Sequence, residues 1–232
     1  MSSRRRWASQ VSDGLVVAID GPSASGKSTV GRMLARHLHL PLVDTGLMYR
    51  AVTVLASDAG VDPADEEAVG RIAENVDIEV NTTTDEGRHW EVRAGDHDLT
   101  DRVFDVSLAP ALARVSQAGR VREALVARQR RYRPSGVVMV GRDIGTVVFP
   151  DADLKLFITA SDAERRRRRA DQVREADRQL MKGEISDRDA ADSGRSISPL
   201  RVADDAYTID TDDRSPDQVF AEVLRLIPAP RG

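Results

Sequence analysis

An octapeptide near the start of the 232-residue chain constrains its fold more than any other feature: Gly21-Pro22-Ser23-Ala24-Ser25-Gly26-Lys27-Ser28, followed by Thr29. It matches G-x-x-x-x-G-K-[ST], a loop whose backbone N–H groups surround the phosphates of a nucleoside triphosphate. The two glycines permit a backbone approach that a Cβ would forbid. Lys27 can reach the outer phosphates, and the Ser28 hydroxyl can ligate Mg²⁺. The motif therefore predicts a site for a phosphorylated nucleotide.

The residues on either side of the loop support this interpretation. Residues 15–19 are an apolar run, typical of a strand buried on both faces of a parallel sheet. After the loop, apolar residues recur with helical spacing at Val30, Met33, Leu34 and Leu38. A helix starting at the loop adds its positive N-terminal end to a phosphate site. The alternative is an ordinary Gly/Ser turn between a strand and a helix.

Composition limits the class of protein. Hydrophobic residues make up 41% and charged residues 31% of the chain, as in globular proteins. The absence of cysteine excludes disulfides and thiol chemistry and fits a reducing cytoplasm. No apolar run approaches the roughly 20 residues of a membrane span, and Arg4–Arg6 precede no signal-peptide core. The net charge of −4 provides no global basic field that would favour nucleic acid. We expect a cytoplasmic monomer without nucleic-acid or membrane partners.

Apolar segments alternate with helical patterns along most of the chain, which predicts an α/β fold with a parallel sheet. The strand candidates are 15–19, 41–43, 136–140, 154–158 and 206–209. A closing helix is expected from Pro216 to Ile227. We expect residues 1–13 to form a flexible tail. The predicted phosphate-loop core comprises residues 14–62, 105–160 and 201–232.

Two segments depart from this alternation. In 63–104, residues 76–81 and 90–93 alternate apolar and polar side chains, and Gly95-Asp96 provides a tight turn. This pattern predicts a small antiparallel subdomain inserted at 63–104. The segment 161–200 is rich in Arg and Asp and poor in large apolar residues, which predicts a helical lid.

Other motifs narrow the choice among phosphate-loop proteins. No glycine has an aspartate three residues before it, and neither asparagine precedes a lysine, so the motifs of a GTPase switch are absent. Motor ATPases usually carry an apolar strand that ends in Asp-Glu. No strand candidate here ends in that way, which argues against a motor. A small kinase remains. A phosphate acceptor is largely dianionic at neutral pH, so it needs several arginines rather than a catalytic base.

From about residue 15 to 227, the chain resembles the bacterial cytidylate kinases, which transfer the γ-phosphoryl group of ATP to CMP or dCMP. The motifs occur in order as GPSASGKST, LVDTGLMYRAV, VREALVARQR, GRDIGTVVFPDADLKLF, an arginine-rich segment within 164–169, and RDAADSGRSISPL. GRDIGTVVFPDA is the most specific of them. The insert at 63–104 resembles the extra three-stranded domain on this family's nucleoside-monophosphate side, which implies an acceptor-binding (NMP-binding) subdomain.

The resemblance implies a set of acceptor-side residues. Arg50 and Arg142 would hold the acceptor phosphate, while Arg122 and Asp143 would recognise the cytosine edge with Ser116 nearby. The residues implied at the ribose and at the closing lid are Tyr49, Arg188, Asp192 and Arg195. Val140 stands where some family members have Asp, which leaves an acidic contact to Mg²⁺ or water at that position open.

Helical spacing selects among the lid arginines. Arg165, Arg168 and Arg169 share one face and are the candidates for the triphosphate, whereas Arg166 and Arg167 are expected in solvent. With Lys27 and Ser28, these residues complete the predicted ATP·Mg²⁺ site. The expected catalytic cations are Lys27, Arg50, Arg142, Arg165, Arg169 and Arg195.

Several alternatives stay open from the sequence. Asp44 and Thr45 fit helix caps as well as substrate or Mg²⁺-water contacts. Arg122 fits a surface ion pair, and the four histidines have no metal-ligand spacing. The acceptor could instead be UMP, AMP or shikimate. A nucleotide-dependent binding protein that contacts RNA through 165–169 is the alternative from another class.

Overall fold

The computed structural model describes residues 14–82, 89–172 and 200–228. The chain divides into two compact units, Met1–Leu42 with Tyr132–Gly232, and Val43–Arg131. The first is called the loop unit, after the phosphate loop, and the second the acceptor unit, after the acceptor residues predicted within it.

The loop unit is built on a five-stranded sheet. The strands are β1 (Val16–Asp20), β2 (Leu42–Asp44), β6 (Val137–Val140), β7 (Leu154–Thr159) and β8 (Tyr207–Asp210), and the chain leaves the loop unit within β2. Their order in the sheet is β2-β6-β1-β7-β8, and the pairs β1–β6, β1–β7 and β7–β8 are all parallel. All five predicted strands are present, and the predicted parallel sheet is confirmed.

Burial of apolar side chains fixes this sheet. Every residue of β1 and β6 is buried, as expected for strands covered on both faces. Helix α1 (Lys27–Leu38) buries Val30, Leu34 and Leu38 along one face. Helix α7 (Pro216–Leu224) begins with a capping box formed by Ser215 and Gln218, with proline at its first position.

The acceptor unit combines helices with a small antiparallel sheet. Its helices are α2 (Thr45–Asp58), α3 (Glu66–Asn75), α4 (Ala109–Val115) and α5 (Gly119–Gln129). The sheet has the order β3-β4-β5, with β3 (Ile78–Thr82), β4 (Trp90–Ala94) and β5 (His97–Asp98). Ile78 and Val80 are buried between exposed neighbours, so the alternation predicted a strand here correctly.

The acceptor unit extends beyond the predicted insert of 63–104 on both sides. One reason is that α3 and α5 pack so closely that a Cβ on Gly70 would lie 2.5 Å from Arg120 Cδ. Helix α5 lies outside the insert in sequence but packs on a helix inside it.

Only the first part of the predicted lid is described, as helix α6 (Asp162–Gln172). Residues 173–199 and the predicted tail, 1–13, lie outside the described residues. No helix in the described ranges is long and apolar enough to cross a membrane.

Candidate active site

The phosphate loop joins β1 directly to α1, as the sequence predicts. A Cβ on Gly21 would lie 2.0 Å from the carbonyl oxygen of Ile158, so only glycine fits against β7 at this point. Gly26 caps α1 with a φ of 98°, in the left-handed region. Ala24 shares that region with a φ of 58°. The loop backbone is therefore held in a conformation that its two motif glycines make accessible.

The groups of the loop that can hold phosphate lie at the N-terminus of α1. The N-cap residue of this helix is Gly26, which makes no side-chain capping bond. The first N–H groups of a helix and its positive end favour an anion. Lys27 Nζ donates a hydrogen bond to the carbonyl oxygen of Pro22, across the mouth of the loop. Ser28 and Thr29 lie in the first turn and are half-buried.

Arginines from two other segments also reach the loop. Arg142 Nη1 donates to the carbonyl oxygen of Gly21 at 2.8 Å. Arg165 Nη1 donates to the carbonyl oxygen of Ser23 at 3.3 Å. The loop unit thus places guanidinium groups from the β6 loop and from α6 beside the loop that carries Lys27. This concentration of positive charge favours a polyanion such as a triphosphate.

Helix α6 orients its arginines much as the helical spacing predicts. The side chain of Arg165 is buried and that of Arg168 half-buried, while Arg166 and Arg167 are exposed. Arg167 forms ion pairs with Glu164 and Asp171 on the outer side. Hydrogen bonds from Arg167 and Arg168 lower the pKa of Glu164 to about 2. The side chain of Arg169 lies outside the described residues.

Thr211, which the sequence analysis missed, connects Arg168 to the phosphate loop. Arg168 Nη1 donates to Thr211 Oγ1 at 2.9 Å, and Arg168 Nη2 donates to the Thr211 carbonyl oxygen at 2.8 Å. Thr211 Oγ1 itself lies 3.0 Å from the carbonyl oxygen of Ser25. The available signal was its position, since Thr211 directly follows β8 at the carboxyl edge of the sheet.

Asp20, the last residue of β1, was also missed. It is 5% exposed, and its two oxygens accept hydrogen bonds from the backbone N–H groups of Ile144 (2.8 Å) and Gly145 (2.7 Å). Burial raises the pKa of Asp20 to about 6, against the lowering effect of these two hydrogen bonds. The signal was an acidic residue immediately before the motif, at the end of an otherwise apolar strand.

The loop after β6 carries two predicted acceptor residues. Arg142 is held by its contact with Gly21, and Asp143 is 7% exposed. The Asp143 carbonyl oxygen accepts hydrogen bonds from Val147 and Val148 in the π-helical turn Ile144–Val148. Arg142 is therefore placed beside the first residue of the phosphate loop, and the Asp143 side chain is buried in the same segment.

In the acceptor unit, the fold brings together three predicted residues from separate helices. The Arg122 guanidinium carbon lies 5.7 Å from the centroid of the Tyr49 ring. Arg122 Nη1 also donates to the carbonyl oxygen of Ser116 at 3.3 Å. Arg122 is 3% exposed, so the surface ion pair considered above does not describe it. A buried guanidinium against an aromatic ring can recognise a flat polar ligand.

The remaining predicted residues of the acceptor unit lie along α2. Arg50 Nη1 donates to the carbonyl oxygen of Val103 at 2.9 Å. Asp44 caps α2 by accepting from the N–H of Gly46, as the capping alternative expects, and Thr45 is 4% exposed in the first turn. Arg188, Asp192 and Arg195 lie outside the described residues.

No group of three or more His, Cys, Asp or Glu side chains suited to a metal ion occurs within 14–82, 89–172 and 200–228. The predicted metal ligand, Ser28, offers a hydroxyl oxygen beside the phosphate loop. Mg²⁺ is commonly bound by one or two protein oxygens together with substrate phosphates and water. The residues present fit a magnesium ion that enters with a nucleotide.

Comparison with known proteins identifies the family of the chain. The profile of the cytidylate kinase family matches residues 17–229. The cytidylate kinase of Azotobacter vinelandii is 40% identical over 220 residues, covering 93% of this chain and 96% of that protein. The cytidylate kinases of Mycolicibacterium paratuberculosis and Exiguobacterium sibiricum are 43% and 41% identical, covering 94% and 90% of this chain and 96% and 95% of theirs. The chain belongs to the cytidylate kinase family.

Proposed function

We propose that this protein is a cytidylate kinase, which transfers the γ-phosphoryl group of ATP to CMP or dCMP and releases ADP with CDP or dCDP. The observation that carries the proposal is family membership over nearly the whole chain, 17–229. The geometry of the loop unit supports it independently, because an uncapped helix N-terminus, a lysine and two arginines surround one phosphate loop.

The donor side of the reaction follows from the loop. The N–H groups at the start of α1 bind phosphate oxygens, and Lys27 neutralises charge on the γ-phosphoryl group during in-line transfer. We assign ATP to residues 21–29 together with Arg165, Arg168 and Arg169. Ser28 would be the protein ligand of the Mg²⁺ of the ATP complex, and the ion would supply positive charge that neutralises the phosphates.

The acceptor side needs positioning rather than a base. The phosphate of CMP has a second pKa near 6, so its oxygen is already a nucleophile at neutral pH. We assign its phosphate to Arg50 and Arg142, and recognition of cytosine to Arg122 and Asp143. The other proposed contacts are Thr45, Tyr49, Ser116, Arg188, Asp192 and Arg195. Arg195 also remains a proposed catalytic residue with Arg165 and Arg169.

Composition supports a proposal for the setting of the reaction. The sequence contains no cysteine and has a net charge of −4, which supports a cytoplasmic enzyme with small-molecule substrates and no nucleic-acid partner. We propose a monomer, since one chain supplies every residue assigned above.

One experiment tests the function: ADP release with ATP·Mg²⁺ over a panel of CMP, dCMP, UMP, AMP, GMP and shikimate. We expect turnover to be dominated by CMP or dCMP. The Lys27→Ala variant, purified in the same way, measures any contaminating kinase. Dominant turnover of another acceptor would overturn the cytidine specificity. No turnover with any acceptor would favour the binding-protein alternative.

A further inference from the structure

The carboxyl group of Asp20 occupies a position where a charge is costly. The other four residues of β1 are apolar and buried, and Asp20 itself is 5% exposed. A buried carboxylate destabilises a protein unless hydrogen bonds or a counter-charge compensate for lost water. Its presence directly before the phosphate loop therefore calls for an explanation other than packing.

Its contacts join the two loops that the reaction uses. One carboxylate oxygen accepts from the N–H of Ile144 at 2.8 Å and the other from the N–H of Gly145 at 2.7 Å. These residues directly follow Arg142 and Asp143. A second link lies one residue further on, where Arg142 donates to the carbonyl oxygen of Gly21. Residues 20–21 thus hold residues 142–145 through three hydrogen bonds.

Close packing leaves this connection little freedom. A Cβ on Gly145 would lie 3.4 Å from Asp20 Oδ2 and 3.2 Å from Lys155 Cδ. Lys155 is itself held by Asp205 and the carbonyl oxygen of Pro150. The charged groups around the carboxylate are Asp143 from the same loop, Lys27 from α1 and, beside Gly145, Lys155 from β7.

We propose that Asp20 is a positioning residue for phosphoryl transfer, whose carboxylate holds the segment bearing Arg142 and Asp143 at a fixed place beside the phosphate loop. The inference rests on the proposed function, in which Arg142 binds the acceptor phosphate. In-line transfer depends on the acceptor oxygen and the γ-phosphoryl group being aligned, and small misplacements are costly.

Asp20→Asn tests the proposal with a side chain of nearly the same shape. An amide keeps one acceptor oxygen but turns an NH₂ donor toward the second N–H group. We expect kcat/KM for CMP to fall by ~10²-fold, with a raised KM for CMP and little change in KM for ATP. A merely structural role would lower the melting temperature without this division between the substrates.

Asp153→Asn is the matched control. Asp153 Oδ2 accepts from the N–H of Val16 at 2.8 Å, so it makes the same kind of bond at the other end of β1. We expect this variant to lose stability and leave both KM values unchanged. Equal kinetic changes in the two variants, or CMP constants within about twofold of wild type for Asp20→Asn, would overturn the proposal.

The pH profile provides a second readout. Because burial raises the pKa of Asp20 to about 6, the wild type loses the carboxylate as the pH falls through that value. We expect the ratio of wild-type to Asp20→Asn kcat/KM to drop about tenfold between pH 7 and pH 5. The titration of CMP itself cancels in this ratio. A ratio independent of pH would contradict an ionised Asp20 as the active form.

If Asp20→Asn does not fold, Gly145→Ala decides, since it disturbs the same connection from the opposite side. We expect a raised KM for CMP, and an unchanged value would overturn the proposal.

The turnover of the wild-type protein separates the proposed kinase function from the proposed role of Asp20. Failure of the wild type to use CMP refutes the proposed function, whereas wild-type activity with an unaffected variant refutes only the role of Asp20.

Discussion

The loop unit and the acceptor unit hold their functional residues in different ways. In the loop unit, Lys27, Arg142 and Arg165 donate to carbonyl oxygens of one contiguous loop. In the acceptor unit, Tyr49, Ser116 and Arg122 come from three separate segments, and the packing of helices brings the Arg122 guanidinium group to the Tyr49 ring and to the Ser116 carbonyl oxygen. The proposed phosphate site is built on the backbone geometry of one loop, whereas the proposed cytosine site depends on how helices pack.

This difference predicts separable kinetic effects. Substitutions in the phosphate loop should act on phosphoryl transfer or ATP binding and leave the constants for CMP nearly unchanged. Substitutions around Arg122 should act on CMP and leave ATP unchanged. The exception is the segment 142–145, which belongs to the loop unit but carries proposed acceptor residues.

The largest effect is expected from Lys27→Ala. This change removes a preorganised charge beside the transferring phosphoryl group, and we expect kcat to fall by ~10²–10³-fold with little change in KM for CMP. Steady-state kinetics with both substrates varied measures the two constants.

Arg133→Ala is the control for Lys27→Ala, because it removes a cation of the same unit that pairs with exposed Asp151. It should behave as wild type. A fall in kcat below tenfold for Lys27→Ala would mean that the loop does not stabilise the transferring phosphoryl group. The proposed role of the loop unit in phosphoryl transfer would then be wrong.

The next effect in size is expected from Arg122→Met. The substitution keeps much of the apolar stem but removes the guanidinium group that lies over Tyr49 and donates to Ser116. We expect kcat/KM for CMP to fall by ~10²-fold and the preference for CMP over UMP to weaken, because a polar recognition group is lost. A competition assay with both acceptors measures the preference.

Arg128→Met is the matched variant on the same helix, α5. Arg128 Nη1 lies 2.9 Å from Asp77 Oδ1 and takes part in no proposed substrate contact. It should keep the CMP/UMP preference of the wild type. An equal loss of preference in both variants would assign the effect to the packing of α5 rather than to the guanidinium group of Arg122.

The sequence predicts the loop unit better than the site of the acceptor unit. The strands of the loop unit and the phosphate loop are local patterns, so runs of apolar residues and the spacing of glycines predicted them within about one residue. The resemblance to the cytidylate kinases implied roles for Tyr49, Ser116 and Arg122. No local sequence pattern showed that these three residues meet. Their proximity depends on the packing of α2, α4 and α5.

Asp20 and Thr211 show why the rest was missed. Both lie at the carboxyl ends of strands, outside the motif, and their partners Gly145 and Ser25 are 125 and 186 residues away in the chain. The hydrogen bonds to these two partners go to backbone groups, which leave no mark in the sequence. Only the order of the parallel strands brings these positions to one edge.

An intermediate effect is expected from Thr211→Val, which removes a hydroxyl group without changing the shape of the side chain. Arg168 then loses one hydrogen-bond acceptor, and the carbonyl oxygen of Ser25 loses the hydroxyl group that donates to it. We expect KM for ATP to rise about tenfold, the equivalent of one hydrogen bond, while KM for CMP stays constant.

Thr208→Val is the control for Thr211→Val, since Thr208 lies in the same strand, β8, and is exposed. It should leave both KM values unchanged. A selective rise in KM for CMP in Thr211→Val would contradict the assignment of this end of the sheet to ATP.

The smallest effect is expected from Arg102→Ala in the acceptor unit. Arg102 pairs with Asp58, and both side chains are about half exposed, so the free energy of unfolding should fall by at most about 1 kcal/mol. The hydrogen bond from Arg102 holds the pKa of Asp58 below its usual 3.8. The stabilisation is therefore present above that value and lost as the pH falls through the lowered pKa. Urea unfolding at pH 7 and pH 3 measures this loss, which should also fade in high salt.

The same variant tests how well the acceptor unit isolates its functional residues. Val103, next to Arg102, provides the carbonyl oxygen that holds Arg50. That carbonyl is fixed by the backbone turn in which the Val103 N–H donates to Leu99 at 3.0 Å, rather than by the ion pair. We therefore expect KM for CMP to be unchanged in Arg102→Ala. A raised KM would show that an exposed ion pair helps to place Arg50, and that side-chain packing controls the acceptor unit out to its surface.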